Sequence, residues 1–154
     1  LVLREETAPA PFRRSGIEQF ALFRSKTGRG AGMKHNPGFL KLVDAARARV
    51  KECTVAEAKA RLDRGEGLHF LDVREDHEFE KDHAKGARHL GKGIIERDVE
   101  TLIPNKEEAI VLYCGGGYRS VLAADALQQM GYTNVMSMDG GIKSWREAGY
   151  PMEH

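Results

Sequence analysis

Three short apolar runs, at 68–73, 109–113 and 134–138, constrain this chain more than any other feature of its sequence. They are too short for core helices and mostly continuous, the pattern of strands covered on both faces of a parallel sheet. Helical patterns alternate with them. A leading helix is expected over 36–50, with Asn36 as N-cap, Pro37 at the first helical position, and Phe39, Leu42, Val43, Ala46 and Val50 at helical spacing. Thr54-Val55-Ala56-Glu57 has the form of a capping box, followed by Ala58 and Leu62 on one face and a stop at Gly65. A third helix is expected over 120–130, with Leu122, Ala126, Leu127 and Met130 on one face and Gly131 after it. A fourth runs over 142–148 with Trp145, before Gly149 and Pro151. Strands alternating with helices give an α/β class and an open, mostly parallel sheet with helices on both faces.

Periodicity and capping signals begin near Asn36, so residues 33–154 are expected to form the domain, with a core over 51–151. Residues 1–32 are expected to be an extension, disordered or non-native, that ends in a Gly-Arg-Gly-Ala-Gly run before Met33. Six basic and three acidic residues lie in that extension, against eighteen and twenty in the remainder. No basic stripe interleaves with aromatics, which argues against a direct nucleic-acid partner. Apolar runs of a few residues fall far short of the roughly twenty that cross a bilayer, so no membrane partner is expected. Cys53 and Cys114 fit neither a metal spacing nor a disulfide framework. A cytoplasmic protein without a zinc site is the expectation.

The chemistry concentrates in Ile110-Val111-Leu112-Tyr113-Cys114-Gly115-Gly116-Gly117-Tyr118-Arg119-Ser120, which reads as strand, glycine turn and helix start. In doubly wound sheets ligands bind beyond the carboxyl ends of strands, and a loop feeding a helix N-terminus points backbone N–H donors inward. Consecutive glycines let the backbone adopt positive φ and curl around the sulfur. Those donors and the positive helix end favour a Cys114 thiolate and, equally, a persulfide anion.

With these residues in hand, the chain resembles the rhodanese superfamily over roughly Thr54 to Pro151. Leu71-Asp72-Val73-Arg74-Glu75 is similar to the family's first box, and Asp82-His83-Ala84-Lys85-Gly86-Ala87-Arg88-His89-Leu90 to its second. Asp139-Gly140-Gly141 through Trp145 to Gly149-Tyr150-Pro151 is similar to its closing motif. Asp82 stands where the family usually has Gly and Lys85 where it usually has Pro, in a turn read as remote from the cysteine loop. The resemblance implies a single rhodanese-like domain and a sulfurtransferase that works through a Cys114 persulfide. It also implies a small anionic sulfur donor such as thiosulfate, a thiol, a protein or cyanide as acceptor, and no metal or organic cofactor. Related phosphatases place five residues between Cys and Arg; here four, Gly115 to Tyr118, intervene, which suits sulfur better than phosphate or arsenate. A non-catalytic binding module is the remaining alternative.

Within this reading Cys114 is the nucleophile, and Gly115, Gly116, Gly117, Tyr118, Arg119 and Ser120 form the binding loop. Arg119 either grips the donor's sulfonate or pairs with a carboxylate and braces the loop. Asp72 and Arg74 are supporting residues whose mutual ion pair would brace the fold. His89 and Glu96, with Lys92 and Arg97, are candidates for the entrance, while His83 belongs to the turn. Cys53 has no cradle and is expected to be structural or merely exposed, and dispensable.

Overall fold

The computed structural model describes residues 34–154, so the expectations for 1–32 lie outside the described residues. Residues 36–154 form one compact unit. In chain order its elements are α1 (Pro37–Arg47), β1 (Lys51–Cys53), α2 (Val55–Asp63), β2 (His69–Asp72), α3 (Asp76–Lys81), β3 (His83–Ala84), β4 (Arg88–His89), α4 (Ile95–Leu102), β5 (Ile110–Tyr113), α5 (Arg119–Gln129), β6 (Val135–Met138), α6 (Gly141–Glu147) and β7 (Met152–Glu153).

Five strands form a parallel sheet in the order β1-β6-β5-β2-β4, and β3 and β7 make a separate antiparallel ribbon. Strand residues alternate between two cores. Ile110 and Leu112 join Leu71, Val73 and Val135 on one face, beneath Val43 and Ala46 of α1, Ile95 and Val99 of α4, and Leu127 of α5. Val111 and Tyr113 join Phe70 and Met138 on the other, against Ala58 of α2 and Ile142 and Trp145 of α6. Every β5 side chain is thus buried, each contributing roughly 1.5–3 kcal/mol of transfer free energy, which explains a continuous apolar run in place of alternation. Because β5 lies between β2 and β6, the residue that follows it emerges at the middle of the sheet's carboxyl edge.

Helix faces depart from expectation in two places. Leu42 is 59% exposed, because α1 presents Val43 and Ala46 to the sheet side. In α5 the buried residues are Ser120, Val121, Ala123, Ala124, Asp125 and Leu127, while Leu122, Ala126 and Met130 are half-buried. That helix packs against β5 and β6 beneath it and against α1 and α4 beside it, so burial extends well beyond a single stripe. The capping box is present: Thr54 N–H donates to Glu57 Oε2 and Glu57 N–H to Thr54 Oγ1. Asn36 has the extended dihedrals of an N-cap without a side-chain cap bond.

At the end of β2 a buried ion pair locks the second box in place. Arg74 Nε donates to both Asp72 carboxylate oxygens at 3.0 Å and Nη2 donates to Oδ2 at 2.7 Å. The same Nη2 reaches Asp82 O at 2.7 Å, which ties the β3 turn to β2. Burial opposes the Arg74 charge, but the Asp72 carboxylate more than offsets it and holds the guanidinium pKa above its ordinary value. Tyr113 hydroxyl accepts from Ala84 N–H at 3.1 Å, and burial together with the Asp72 charge pushes its pKa far up.

Asp72 is fully buried, so Arg74→Ala would strand a carboxylate without its partner. A loss of about 3–5 kcal/mol in urea unfolding is expected, with a smaller loss for the double variant Asp72→Leu/Arg74→Met, which removes both charges. Equal losses in the two proteins would show that packing, not charge pairing, holds this corner.

Candidate functional site

Cys114 follows β5 directly and is 1% exposed. Its Sγ accepts a hydrogen bond from Gly117 N–H at 3.2 Å and lies 3.5 Å from Ser120 Oγ. Of the three loop glycines only Gly117 has positive φ, at 96°, which corrects the expectation that the whole run exploits that freedom. The other two are small for reasons of contact and solvent: a Cβ on Gly115 would lie 3.1 Å from Arg119 Nη2, and Gly116 is exposed. The loop then feeds the N-terminus of α5 at Arg119, whose dipole favours negative charge near the sulfur.

The back of the loop is gripped by α6. Ile142 N–H donates to Cys114 O at 2.9 Å and Lys143 N–H to Gly115 O at 3.2 Å, so the first orphan donors of α6 find their acceptors in the loop. In a trans peptide the N–H opposes the C=O, so this anchoring turns the Gly115 and Gly116 N–H groups away from α6. Such an approach requires Gly141, whose φ is 55° and whose Cβ would collide with Cys114 O and stand 2.7 Å from Gly115 O.

Arg119 is engaged by a residue that the sequence reading did not single out. Its Nη1 donates to Glu78 Oε2 at 2.7 Å and its Nη2 to Glu78 Oε1 at 3.1 Å. Glu78 Oε2 also accepts from Glu75 N–H at 2.9 Å, so α3 presents the carboxylate from its own first turn. The Arg119 hydrogen bonds hold the Glu78 carboxyl down at about 2, against the opposing effect of burial, and Glu78 in turn raises the Arg119 pKa. The local pattern Glu75-Asp76-His77-Glu78, with a glutamate three residues past the cap, marks a helix start, but nothing in it points to Arg119. Tyr118 packs half-buried, with the Arg47 guanidinium 5.0 Å from its ring centroid.

Asp72, Arg74 and His89 lie at the same carboxyl edge of the sheet, one and two strands from β5. Asp72 and Arg74 bond each other, and Arg74 also bonds Asp82 O. His89 Nε2 donates to Arg74 O at 2.8 Å, and its ring stacks on Phe79, which also stacks on His83. Lys92 N–H donates to Val73 O, holding the strand's continuation. Glu96 is exposed in the first turn of α4, and Arg97 pairs with its neighbour Asp98. Cys53 ends β1 inside the second core, where burial and then the Glu57 charge push its thiol up to about 11. Sequence reading also passed over Ser137, a buried hydroxyl on β6 whose Oγ is 2.8 Å from Ser120 Oγ. Its only signal was one serine inside a strand otherwise apolar on both faces.

Two expectations follow from the loop's supports. Gly141→Ala should displace the loop, lowering stability by roughly 1–3 kcal/mol through strain at positive φ and changing the alkylation rate of Cys114; wild-type values for both would remove α6 as the anchor. The Glu78 carboxyl lies below the usual carboxylate value, so its pairing stabilises the fold above roughly pH 4.5 and is lost as pH falls toward 2. Glu78→Gln should therefore be less stable near neutrality, and its deficit should shrink between about pH 4.5 and pH 2. Parallel stability curves for the two proteins would show that Arg119 gains nothing from the carboxylate.

Residues 54–148 match the model of the Rhodanese-like domain family. The chain is 32% identical over 75 residues to the thiosulfate sulfurtransferase PspE of Escherichia coli, a match that spans 49% of this chain and 71% of PspE. It is also 32% identical over 96 residues to YrkF of Bacillus subtilis, which carries the name of a sulfur carrier protein; that match covers 62% of this chain but only 51% of YrkF. Among solved structures, a Rhodopseudomonas palustris protein of unknown function, described as a possible tyrosine phosphatase, superposes with a TM-score of 0.71 at 28% identity. It covers 80% of this chain and 100% of its own. A parallel five-stranded sheet, a cysteine at the carboxyl end of its central strand and a family match across most of the domain lead to one conclusion: the chain belongs to the rhodanese superfamily.

Proposed function

We propose that this protein is a sulfurtransferase of the rhodanese type, which takes a sulfane sulfur onto Cys114 and passes it to a thiol or to cyanide. One observation carries the proposal. Cys114 Sγ sits at the sheet's carboxyl edge and accepts Gly117 N–H at 3.2 Å, at the N-terminus of α5 and within reach of the Ser120 hydroxyl. Such a sulfur can bear negative charge while almost wholly removed from water, because fixed donors replace the lost solvation.

In the first half-reaction the Cys114 thiolate attacks the outer sulfur of thiosulfate. The S–S bond of the donor breaks, sulfite departs with the bonding pair, and Cys114 carries a persulfide anion. A persulfide donor reacts in the same way and releases its own thiolate. In the second half-reaction an acceptor thiolate or cyanide attacks the terminal sulfur, the bond to Sγ breaks, and the Cys114 thiolate returns. The added sulfur sits about 2.05 Å beyond Sγ, so the atom that the acceptor attacks is the outer sulfur and not the buried thiol sulfur itself. No general base enters these steps, because both nucleophiles react as anions.

The name of PspE supports thiosulfate as donor, and the name of YrkF fits the carriage of sulfur on a protein. The phosphatase description of the Rhodopseudomonas relative fits this chain less well. Only four residues separate Cys114 from Arg119, and Glu78 already occupies the Nη1/Nη2 end of the Arg119 guanidinium and neutralises the charge that would meet a phosphate. Two buried free cysteines suit a reducing compartment such as the cytoplasm.

Intact-mass analysis before and after thiosulfate tests the assignment. Wild type should gain one sulfur atom that cyanide removes as thiocyanate. Cys53→Ser should behave alike, because the Cys53 thiol, held up at about 11, is protonated and inside the core. Cys114→Ser should gain no sulfur and form no thiocyanate. Sulfur uptake by Cys114→Ser would move the nucleophile elsewhere, and absence of uptake by wild type from both thiosulfate and a low-molecular-weight persulfide would favour a binding module.

A further inference from the structure

Two serine hydroxyls lie behind the Cys114 sulfur, and both residues are 0% exposed. Burying a hydroxyl is unfavourable unless both its proton and its lone pairs find partners. Ser120, in the first turn of α5, places Oγ 3.5 Å from Cys114 Sγ. Ser137 stands opposite Leu112 on the neighbouring strand and places Oγ 2.8 Å from Ser120 Oγ. Apolar Val121 and Val135 belong to the same core, so this three-atom chain runs through a region of low dielectric.

Each hydroxyl owns one proton, so the chain runs in one of two directions. If Ser120 donates to Ser137, the Ser137 proton is left over, because its contact with Ser120 is the one side-chain hydrogen bond that Ser137 makes among the described residues. If Ser137 donates to Ser120, the Ser120 proton turns to the sulfur and both protons are placed. In that second direction the sulfur accepts from Ser120 and from Gly117 N–H, as a sulfur without a proton requires. Accepting a hydrogen bond also polarises the Ser120 hydroxyl and makes it a better donor.

We infer that Ser137 is a positioning residue: by donating to Ser120 it aims the Ser120 proton at the Cys114 sulfur and strengthens the hydrogen bond that an anionic sulfur receives there. Ser137 is not a catalytic residue, since a whole side chain separates it from the reacting atom. Its use in turnover rests on the sulfurtransferase reading above, whereas its effect on the sulfur does not.

The test is alkylation of Cys114 by iodoacetamide near neutral pH, followed on the Cys114 peptide so that Cys53 does not contribute. Ser137→Ala should alkylate roughly three- to tenfold more slowly than wild type, the worth of one hydrogen bond, and Ser137→Thr should restore about half of the wild-type rate or more. Ser120→Ala should be slowed as well, and the double variant Ser120→Ala/Ser137→Ala should be no slower than Ser120→Ala alone. A packing defect would instead add to the first loss, which makes this cycle the discriminating measurement. Should Ser137→Ala fail to fold, Ser137→Cys keeps the volume with a weak donor, and the same slowing is expected. A wild-type rate in Ser137→Ala, or the same fold-loss with Ser120 present and absent, overturns the inference. Alkylation needs no sulfur donor, so the two readings fail separately. Coupled serines in a protein that takes no sulfur would remove the sulfurtransferase reading alone, and normal sulfur uptake with uncoupled serines would remove the positioning role alone.

Discussion

Holding the Cys114 sulfur out of water, against a fixed N–H donor, is the constraint on which this structure turns. A thiolate or persulfide removed from water must be given donors, and those donors must not collapse onto one another when the sulfur is neutral. The molecule meets this by splitting the work between two helices. The N-terminus of α5 faces the sulfur, while that of α6 faces the loop's carbonyls, through Ile142 and Lys143. Peptide planes are rigid, so holding the carbonyls from behind fixes the orientation of the N–H groups in front. The loop is preorganised by its supports more than by its own composition.

That division explains residues far from Cys114 in sequence. Gly141 is required twice over, because its φ is positive and because a Cβ would strike the Cys114 and Gly115 carbonyl oxygens. Glu78 and Arg119 form the outer clasp: α3 holds the carboxylate, and the first residue of α5 is held to it. The Asp72–Arg74 pair is the inner one, joined through Asp82 O to the β3 turn and through Tyr113 to the strand that precedes the cysteine. Charges here serve position. Arg119, which loop chemistry alone would assign to the donor anion, has the Nη1/Nη2 end of its guanidinium met by a carboxylate of matching geometry.

How much of this the sequence disclosed depends on which physical signal each element carries. The three central strands were legible because burial on both faces writes a continuous apolar run, and α2 because its capping box is a local pattern. Strand β1 was not, since Lys51 and Glu52 are exposed on the sheet edge and only Cys53 turns inward. Two-residue strands such as β4 carry no period at all. Helix α3 has Phe79 as its single apolar residue, and α4 carried Ile95, Val99 and Leu102 at helical spacing that could have been read. Within the site the local part was legible, Cys114 through Ser120, because it is contiguous. Glu78, Ser137 and the anchoring role of Gly141 were not, because each meets the loop from a different element and only tertiary contact pairs them.

The turn that departs from the family pattern shows where contiguity misleads. Read along the chain, Asp82 and Lys85 lie in a turn remote from the cysteine. In space Asp82 links the inner clasp to α6: its carbonyl accepts from Arg74, and its carboxylate pairs with Arg146 of α6. A glycine at this position would keep the first contact, which is backbone, and lose the second. The lost pair is partly exposed and worth about 0.2–1 kcal/mol at most, so the departure leaves the inner clasp intact while adding a tether between the β3 turn and the helix that holds the Cys114 carbonyl. The loop's immediate donors do not pass through that tether. The departure therefore acts on the scaffold's periphery and meets the loop only through α6.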